Sequence, residues 1–387
     1  GESDMGAFSE KNREDCVFLS VIIPAYNMSH QIEKCLDSIL KQKVSNYEIV
    51  VVDDASSDNL AAVLDPYIQN GAPIKPIYLT QNGGVSNARN VGTQAAQGVY
   101  IHYVDADDVV VDDAYQHMMK RVQENPCDII VANYIFHSST VRDEVRYYAS
   151  EGLARCLESN NLSLWNKWFK RSFILENGLS LATGMKTAED ALFCFQAYRR
   201  HPTICCVNHF LYQYEYDDLD RVRHRERDLH IDSCQNSLRV IKEAFAEPVP
   251  EETVELWATA YRNYIAFIYN NIWTKMQDPA SKEEAFVQMQ DTFRYISECN
   301  EDFHLGYGEN AASFEILVGC DYMTFVTIDY KQYTLIRFLQ HRNGHQTLAS
   351  GSAATAQLFL EECRQGHVGM KTILKSIKNW LLYKLKK

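Results

Sequence analysis

No stretch of about 18 consecutive apolar residues occurs in this sequence, so it contains no pattern for a membrane-spanning helix. Positive charge is scarce. The 38 Lys and Arg stand against 51 Asp and Glu, and the net charge of -13 argues against a general nucleic-acid binder, which would want a basic face. None of the eleven cysteines forms a C-x-x-C pair; the nearest approach is Cys205-Cys206. The cysteines therefore read as reduced and cytosolic, mostly small core residues. There is no H-E-x-x-H, no serine nucleophile elbow and no paired Cys/His zinc spacing. The phosphate-cradling G-x-x-x-x-G-K-S/T loop is missing as well, which excludes ATP-type chemistry of that kind. No secretory signal pattern opens the sequence.

At 387 residues the chain is long enough for a full core and two domains. The apolar fraction is 46%, ordinary for a globular protein. Tyr is abundant at 23; tyrosines suit sugar and base contacts, and they serve half-buried packing equally well. The polar segment 1–16 is expected to be flexible. Val17 to Ile23 is a continuous apolar run, as a buried parallel strand requires, and Pro24 is expected to stop it. Ile32, Cys35, Leu36, Ile39 and Leu40 recur at helical spacing. A strand at Tyr47 to Val52, a helix through Leu64, a short strand at Ile77 to Leu79, a helix at Val85 to Gln97 and a strand at Val99 to Val104 follow. This alternation predicts a parallel sheet with right-handed crossovers. Next come a helix from Asp113 to Val122, a strand from Asp128 to Ala132, helices at Leu162 to Leu175 and Glu189 to Arg199, and strands at Thr203 to Val207 and Phe210 to Tyr214. After residue 227 helix-forming segments take over, near 228–246, 251–276 and 281–297, then around 312–319, 330–340 and 355–364. The expected division is an α/β domain at 17–227 and a helical domain at 228–387.

Acids mark the predicted strand ends. Asp53-Asp54 ends one run, Asp105-Ala106-Asp107-Asp108 ends another, and Glu189-Asp190 opens a later helix. Carboxylates at the C-terminal ends of parallel strands fall where an open α/β sheet binds its ligands. Hard divalent cations want such oxygens, and a diphosphate can supply the rest. Plainer duties also fit: Asp is a common turn former, and acids at a helix start complement its dipole.

Six blocks occur in order: SVIIPAYN (Ser20 to Asn27), EIVVVDDASSD (Glu48 to Asp58), NGGVSNARNVG (Asn82 to Gly92), YVDADD (Tyr103 to Asp108), WNKWF (Trp165 to Phe169) and AEDALF (Ala188 to Phe193). This ordered set resembles the family 2 glycosyltransferases of the GT-A type. The resemblance implies an α/β fold, a GT-A (Rossmann-like) mostly parallel sheet flanked by helices, here followed by a mainly helical C-terminal region. It implies an inverting, metal-dependent transfer of a sugar from a nucleotide donor, UDP-linked before others, to a hydroxyl of a glycan or lipid-linked acceptor. Carried over block by block, Pro24, Ala25 and Tyr26 pack against the donor base, and Asp54 meets base or ribose. Asn82 and Arg89 touch nucleotide or diphosphate, where an Arg fork suits phosphate oxygens. Asp107 is the expected direct ligand of Mn2+ or Mg2+, with Asp105 bridging to ribose or through water. Asp190 is the expected general base, and Glu189 is the alternative. Trp165 and Lys167 belong to a block near the acceptor side; a buried core role for Trp165 stays equally open.

Many relatives of the family carry a Ser-bearing loop where this chain has Asp217 to Arg227. Here Arg221, Arg223, Arg225 and Arg227 alternate around His224. Such cations suit a clasp over the donor diphosphate, with His224 as a further metal ligand; the interspersed acids also suit a solvated charge cluster. From Lys371 to Lys387 there are six Lys and no acid, and Leu374, Ile377, Leu381 and Leu385 recur at helical spacing beside Trp380. A basic amphipathic helix over 369–387 suits an anionic membrane surface, which would place the protein at the cytoplasmic face of the plasma membrane. A helix packed on the core, its Lys residues complementing the dipole, is the other reading. An oligomer is compatible with both. Two further function classes stay open. A sugar nucleotidyltransferase is disfavoured, because Pro24 to Asn27 occupies the place of its Gly-rich basic loop. A non-catalytic GT-A scaffold that binds glycan is disfavoured by intact Asp105, Asp107 and Asp190.

Overall fold

The computed structural model describes residues 16–138, 143–215 and 231–300. The chain divides into two compact units, Gly1–Arg227 and Asp228–Lys387. In the first unit, β1 (Leu19–Ala25), β2 (Tyr47–Asp53), β3 (Ile74–Tyr78) and β4 (Tyr100–Tyr103) run parallel in the order β3-β2-β1-β4. Helices α1 (Ile32–Leu40), α2 (Leu60–Gln69) and α3 (Val85–Ala95) are the crossovers. Val21, Ile23 and Val51 pack with Ile32, Leu36 and Leu60 in one core cluster. Ile22 and Val52 point the other way and meet α3 at Gly92, where an added Cβ would lie 2.5 Å from Ile22 Cγ2. Covering both faces explains why these strands are apolar throughout rather than alternating.

Pro24 does not stop β1; it pairs opposite Val52 inside the strand. The reason is the direction of its missing N–H. The Ile22 carbonyl accepts from Val104 N–H, and the Ala25 carbonyl accepts from Asp54 N–H. Pro24, two residues after Ile22, therefore turns toward the β4 side, beyond Tyr103 where β4 has ended.

Past β4 the sheet becomes mixed. The elements are β5 (Val109–Val110), α4 (Ala114–Glu124), β6 (Ile129–Ser138), β7 (Asp143–Tyr147), α5 (Leu153–Glu158), β8 (Lys167–Lys170), α6 (Arg171–Glu176), α7 (Glu189–Tyr198) and β9 (Ile204–Glu215). The strand order continues β4-β8-β6-β9-β5, and β7 pairs with β6. β8 is antiparallel to both β4 and β6, whereas β9 is parallel to β6. The helix expected over Leu162 to Leu175 is thus mostly something else: a central strand, followed only by the short α6. Trp168 and Phe169 are both fully buried, so this strand shows no period-2 pattern to set it apart from a buried helix. The two strands expected at 203–214 are one, β9, with its irregular register opposite Ala132 to Tyr134. The cysteine reading also needs correction. Cys127 and Cys205 are joined as a disulfide, their Cα atoms 6.3 Å apart. Cys35, Cys156, Cys194 and Cys234 are buried free thiols, as expected.

In the second unit the described elements are α8 (Ile231–Phe245), α9 (Val254–Asn271) and α10 (Pro279–Cys299). The Asp278 carboxylate caps α10 by accepting from Ser281 N–H at 2.7 Å, with Pro279 opening the helix. Rings of Phe245, Trp257, Tyr261 and Phe293 lie in contact at centroid distances of 5.3–6.4 Å and form the core of these helices. The expected helices beyond residue 300, the basic segment 369–387 and the cluster Arg221, Arg223, His224 and Arg225 lie outside the described residues.

Candidate active site

A cavity of about 280 Å³ opens at the C-terminal ends of β1, β2 and β4 and the start of α3. Its lining includes Pro24, Tyr26, Asp54, Arg89, Asp105 and Asp107. A wider depression of about 700 Å³, lined by Leu40, Val63, Pro66 and Tyr67 among others, lies between α1 and α2 and holds none of the expected site residues.

Asp53 spends its Oδ1 on Ser56 N–H at 2.8 Å and closes the turn after β2. Asp54 instead faces the start of α3, where its two carboxylate oxygens accept from Gly83 and Gly84 N–H at 2.8 and 2.7 Å. Gly84 is the N-cap of α3 and has φ +83°, a left-handed conformation that glycine adopts at little cost. The positive end of α3 thus holds Asp54 in place. Tyr26 is 47% exposed, its ring free to receive a planar group at the cavity mouth. Asn82 is exposed on the loop just before Gly83 and is not among the cavity's lining residues.

Arg89 lies in the second turn of α3 and is only 6% exposed. Its Nη2 donates to Asp105 Oδ1 at 2.7 Å, and its Nη1 donates to Glu189 Oε1 at 2.9 Å. Burial alone would lower its pKa, but Asp105 and then Glu189 more than offset that, so it stays protonated. One guanidinium therefore joins the D-x-D turn after β4 to the acid pair that begins α7. Its buried Nε has no hydrogen-bond partner among the described residues.

The turn carrying Asp105 and Asp107 is pinned from behind. Asp105 N–H donates to the Tyr212 hydroxyl at 3.0 Å, and that hydroxyl donates to Asp108 Oδ2 at 2.7 Å. Asp108 Oδ1 accepts from Glu215 N–H at 2.8 Å. Burial, followed by the charges of Asp105 and Asp107, pushes the Asp108 carboxyl up to about 9. Asp108 is thus a buried tie between the turn and β9, while Asp107 is exposed at the cavity.

Helix α7 starts at Glu189, after Ala188 at φ 65°. Both acids sit in its first turn, where the helix dipole favours them. Asp190 Oδ1 accepts from Ala191 N–H at 2.8 Å. Burial and then the neighbouring Glu189 push the Asp190 carboxyl up to about 6, with Arg89 pulling the other way. A carboxylate with that affinity for protons is suited to proton abstraction near neutral pH.

Trp165 lies half-buried with its ring stacked on Tyr212, centroids 4.8 Å apart. Lys167 is fully buried. Its ammonium donates to Asn161 Oδ1 at 2.7 Å, the Ser163 carbonyl at 2.5 Å and Asn166 Oδ1 at 2.9 Å. Burial lowers its pKa, and the three oxygens satisfy it inside the core, away from the cavity. The residues that sequence reasoning passed over are Tyr212, Tyr214 and Glu215. The alternation in Leu211-Tyr212-Gln213-Tyr214 held the signal, since it sends two tyrosines to one face of a strand.

Among the described residues no group of three or more His, Cys, Asp and Glu side chains is arranged to hold a metal ion. Two carboxylates, Asp105 and Asp107, do line one cavity. That donor set fits an ion of the Mg2+ or Mn2+ kind, which is commonly held by one or two carboxylates and completed by substrate phosphates.

Strand-end acids and a D-x-D turn around one cavity, tied through Arg89 to a helix-borne acid pair, define a class: a GT-A-type fold. Residues 20–203 match the family described as Glycosyl transferase family 2, and that part of the chain belongs to it. The uncharacterized glycosyltransferase EpsJ of Bacillus subtilis is 31% identical over 208 residues, 51% of this chain and 60% of that protein. Glycosyltransferase GlyG of Streptococcus pneumoniae is 32% identical over 140 residues, 36% of this chain and 46% of that protein. The chain thus spans less than two thirds of the length of these relatives. Among solved structures, S. aureus TarS 1-349 in complex with UDP-GlcNAc is similar in fold, with a TM-score of 0.66 at 20% identity over 86% of this chain and 93% of that one. Among the described residues no helix is long and apolar enough to cross a membrane.

Proposed function

We propose that this chain is an inverting glycosyltransferase that moves a sugar from a nucleoside-diphosphate donor to an acceptor hydroxyl, with Asp190 as general base. One observation carries the reading: Arg89 bonds Asp105 and Glu189 at once, so one buried guanidinium ties the D-x-D turn to the acid pair. The donor base packs on Pro24 and Tyr26. The lone pairs that Asp54 has left accept an N–H from the base, as the imide of uracil offers. The UDP-GlcNAc carried by TarS supports a uridine donor. Asp107, with Asp105 beside it, would hold Mn2+ or Mg2+, which when bound supplies positive charge against the leaving diphosphate. Arg89 keeps Asp105 and Glu189 in position and adds a buried positive charge to the same region. Asp190 takes the acceptor's proton as that oxygen attacks the anomeric carbon, and a single in-line displacement inverts the centre. The acceptor is a glycan or a lipid-linked sugar, and the basic segment 369–387 would bring the protein to an anionic membrane face.

The test is nucleoside diphosphate release from a panel of UDP-, GDP- and TDP-sugars with Mn2+ or Mg2+. Asp190→Asn should lower release from the preferred donor on the order of 10²–10⁴-fold. Equal release by Asp190→Asn and wild type, with Glu189→Gln inactive, would move the base to Glu189. No release from any donor would remove the reading altogether.

A further inference from the structure

The proposed chemistry leaves one large feature unused: a continuous set of rings on one face of β6, β7 and β9. In the register of the sheet Tyr134 lies opposite both Tyr212 and Tyr147, and Phe136 lies opposite both Tyr214 and Val145. Directly paired residues share a face, so these side chains stand together. Trp165 covers the inner end, stacked on Tyr212 at 4.8 Å and 6.0 Å from Tyr214.

The inner end abuts the reacting groups. The Tyr212 hydroxyl bonds the Asp105 N–H and the Asp108 carboxyl. The phenol of Tyr214 lies next to Trp165, and burial and then the charges of Asp108, Asp107, Asp105 and Asp190 raise its pKa. From there the rings step outward, Tyr214 to Phe136 at 5.1 Å and Phe136 to Tyr147 at 5.1 Å, with Tyr134 stacked on Tyr147 at 4.8 Å. The outer end is open to solvent, Tyr147 being 39% and Val145 41% exposed.

An acceptor must present one hydroxyl to Asp190 while the rest of it leads away from the donor. A ledge that begins at the D-x-D turn, which Arg89 ties to the acid pair, and ends in solvent has that course. Its chemistry is apolar faces edged by phenol hydroxyls, which complements the C–H face and hydroxyl edge of a pyranose. The one cation of β7 goes elsewhere: Arg146, opposite Ile135, belongs to the other face, where it lies 5.4 Å from the Phe210 ring. An acceptor recognised through phosphates would call for the reverse arrangement. Resting on the glycosyl-transfer reading, we propose that the ledge Tyr214–Phe136–Tyr147, with Trp165 at its inner end, binds the neutral pyranose rings of the acceptor glycan.

The experiment is saturation-transfer NMR on the full chain with cellotetraose and with N-acetylchitotetraose as probes. Wild type should saturate the sugar C–H protons. Tyr147→Ala should weaken the apparent Kd roughly threefold to tenfold, the worth of one aromatic stacking contact. Tyr148→Ala is the control: that ring is 67% exposed and 5.5 Å from Phe210, outside the ledge, and its substitution should leave binding and melting temperature unchanged. No transfer to either probe from wild type, or equal binding by Tyr147→Ala and wild type, overturns the proposal. So does a dimer in sedimentation that Tyr147→Ala dissociates, because a second copy would then be the occupant. Wild-type nucleoside diphosphate release is read separately. Release without sugar contact sinks the ledge alone; sugar contact sensitive to Tyr147→Ala without release sinks the transfer reading alone.

Discussion

Replacing Arg89 with methionine keeps the length of the side chain and deletes its charge. Asp105 and Glu189 would then face each other's neighbourhood with no guanidinium between them. The side chains of Arg89, Glu189 and Asp105 are 7%, 12% and 27% exposed, so the Glu189 arm is well desolvated and the Asp105 arm partly hydrated. Breaking a buried pair by removing one partner costs about 3–5 kcal/mol. The partly hydrated Asp105 arm places the expected loss near the lower end, about 3 kcal/mol. In a domain of about 200 residues that corresponds to a fall in melting temperature of about 6–12 °C. Arg89→Lys keeps a charge but offers one ammonium where a fork spans two acids, so an intermediate loss is expected. The assay is urea and thermal unfolding of wild type and both variants at pH 7.5. A variant within about 1 kcal/mol of wild type would refute the claim that this cation holds the acids together.

Four further outcomes are expected. With Asp190 pushed up to about 6, nucleoside diphosphate release should rise as pH climbs through that value, and Glu189→Gln should move the rising limb to lower pH by removing a like charge. The same shift sets a stability slope: between the ordinary aspartate value of 3.8 and about 6 the native state holds the Asp190 proton more tightly than the unfolded chain, so this group's contribution to stability falls as pH rises through that window. Lys167→Met should leave three oxygens facing an apolar tip and cost about 2–4 kcal/mol in urea unfolding, with no specific rise in acceptor KM; a KM effect without a stability effect would return Lys167 to the acceptor side. Gly92→Val should push α3 off β1, because a first Cβ already stands 2.5 Å from Ile22 Cγ2. About 1–3 kcal/mol of stability should be lost together with donor affinity, since α3 also carries Arg89 and its first turn lines the donor cavity.

The site was legible in the sequence to the extent that it lies at strand ends. Asp54, Asp105 and Asp107 each follow a buried run whose apolar continuity marks it as covered on both faces, and the turn residues Gly83 and Gly84 announce the start of α3. What the sequence hides is partnership. Nothing in NGGVSNARNVG says that Arg89 bridges Asp105 to Glu189, a residue one hundred positions later. Lys167 lies in a block associated with the acceptor, yet local pattern cannot tell a buried ammonium with three acceptors from an exposed one. The far half of the sheet was least legible. β8 is only four residues long and apolar on both faces, and β7, DEVRY, is too charged to look like a strand until it is seen on an edge.

The placement of β8 has a consequence for how the molecule is made. The strand that separates β4 from β6 arrives last of the three, so neither neighbour can find its final hydrogen-bonding partner until Lys167 to Lys170 has been synthesised. Up to that moment a nascent chain carries two raw edges side by side, the kind of surface that recruits other chains. Fragments ending before residue 167 should accordingly clump, however complete their nucleotide-facing strands are, and any minimal catalytic piece has to extend past that late-arriving wedge.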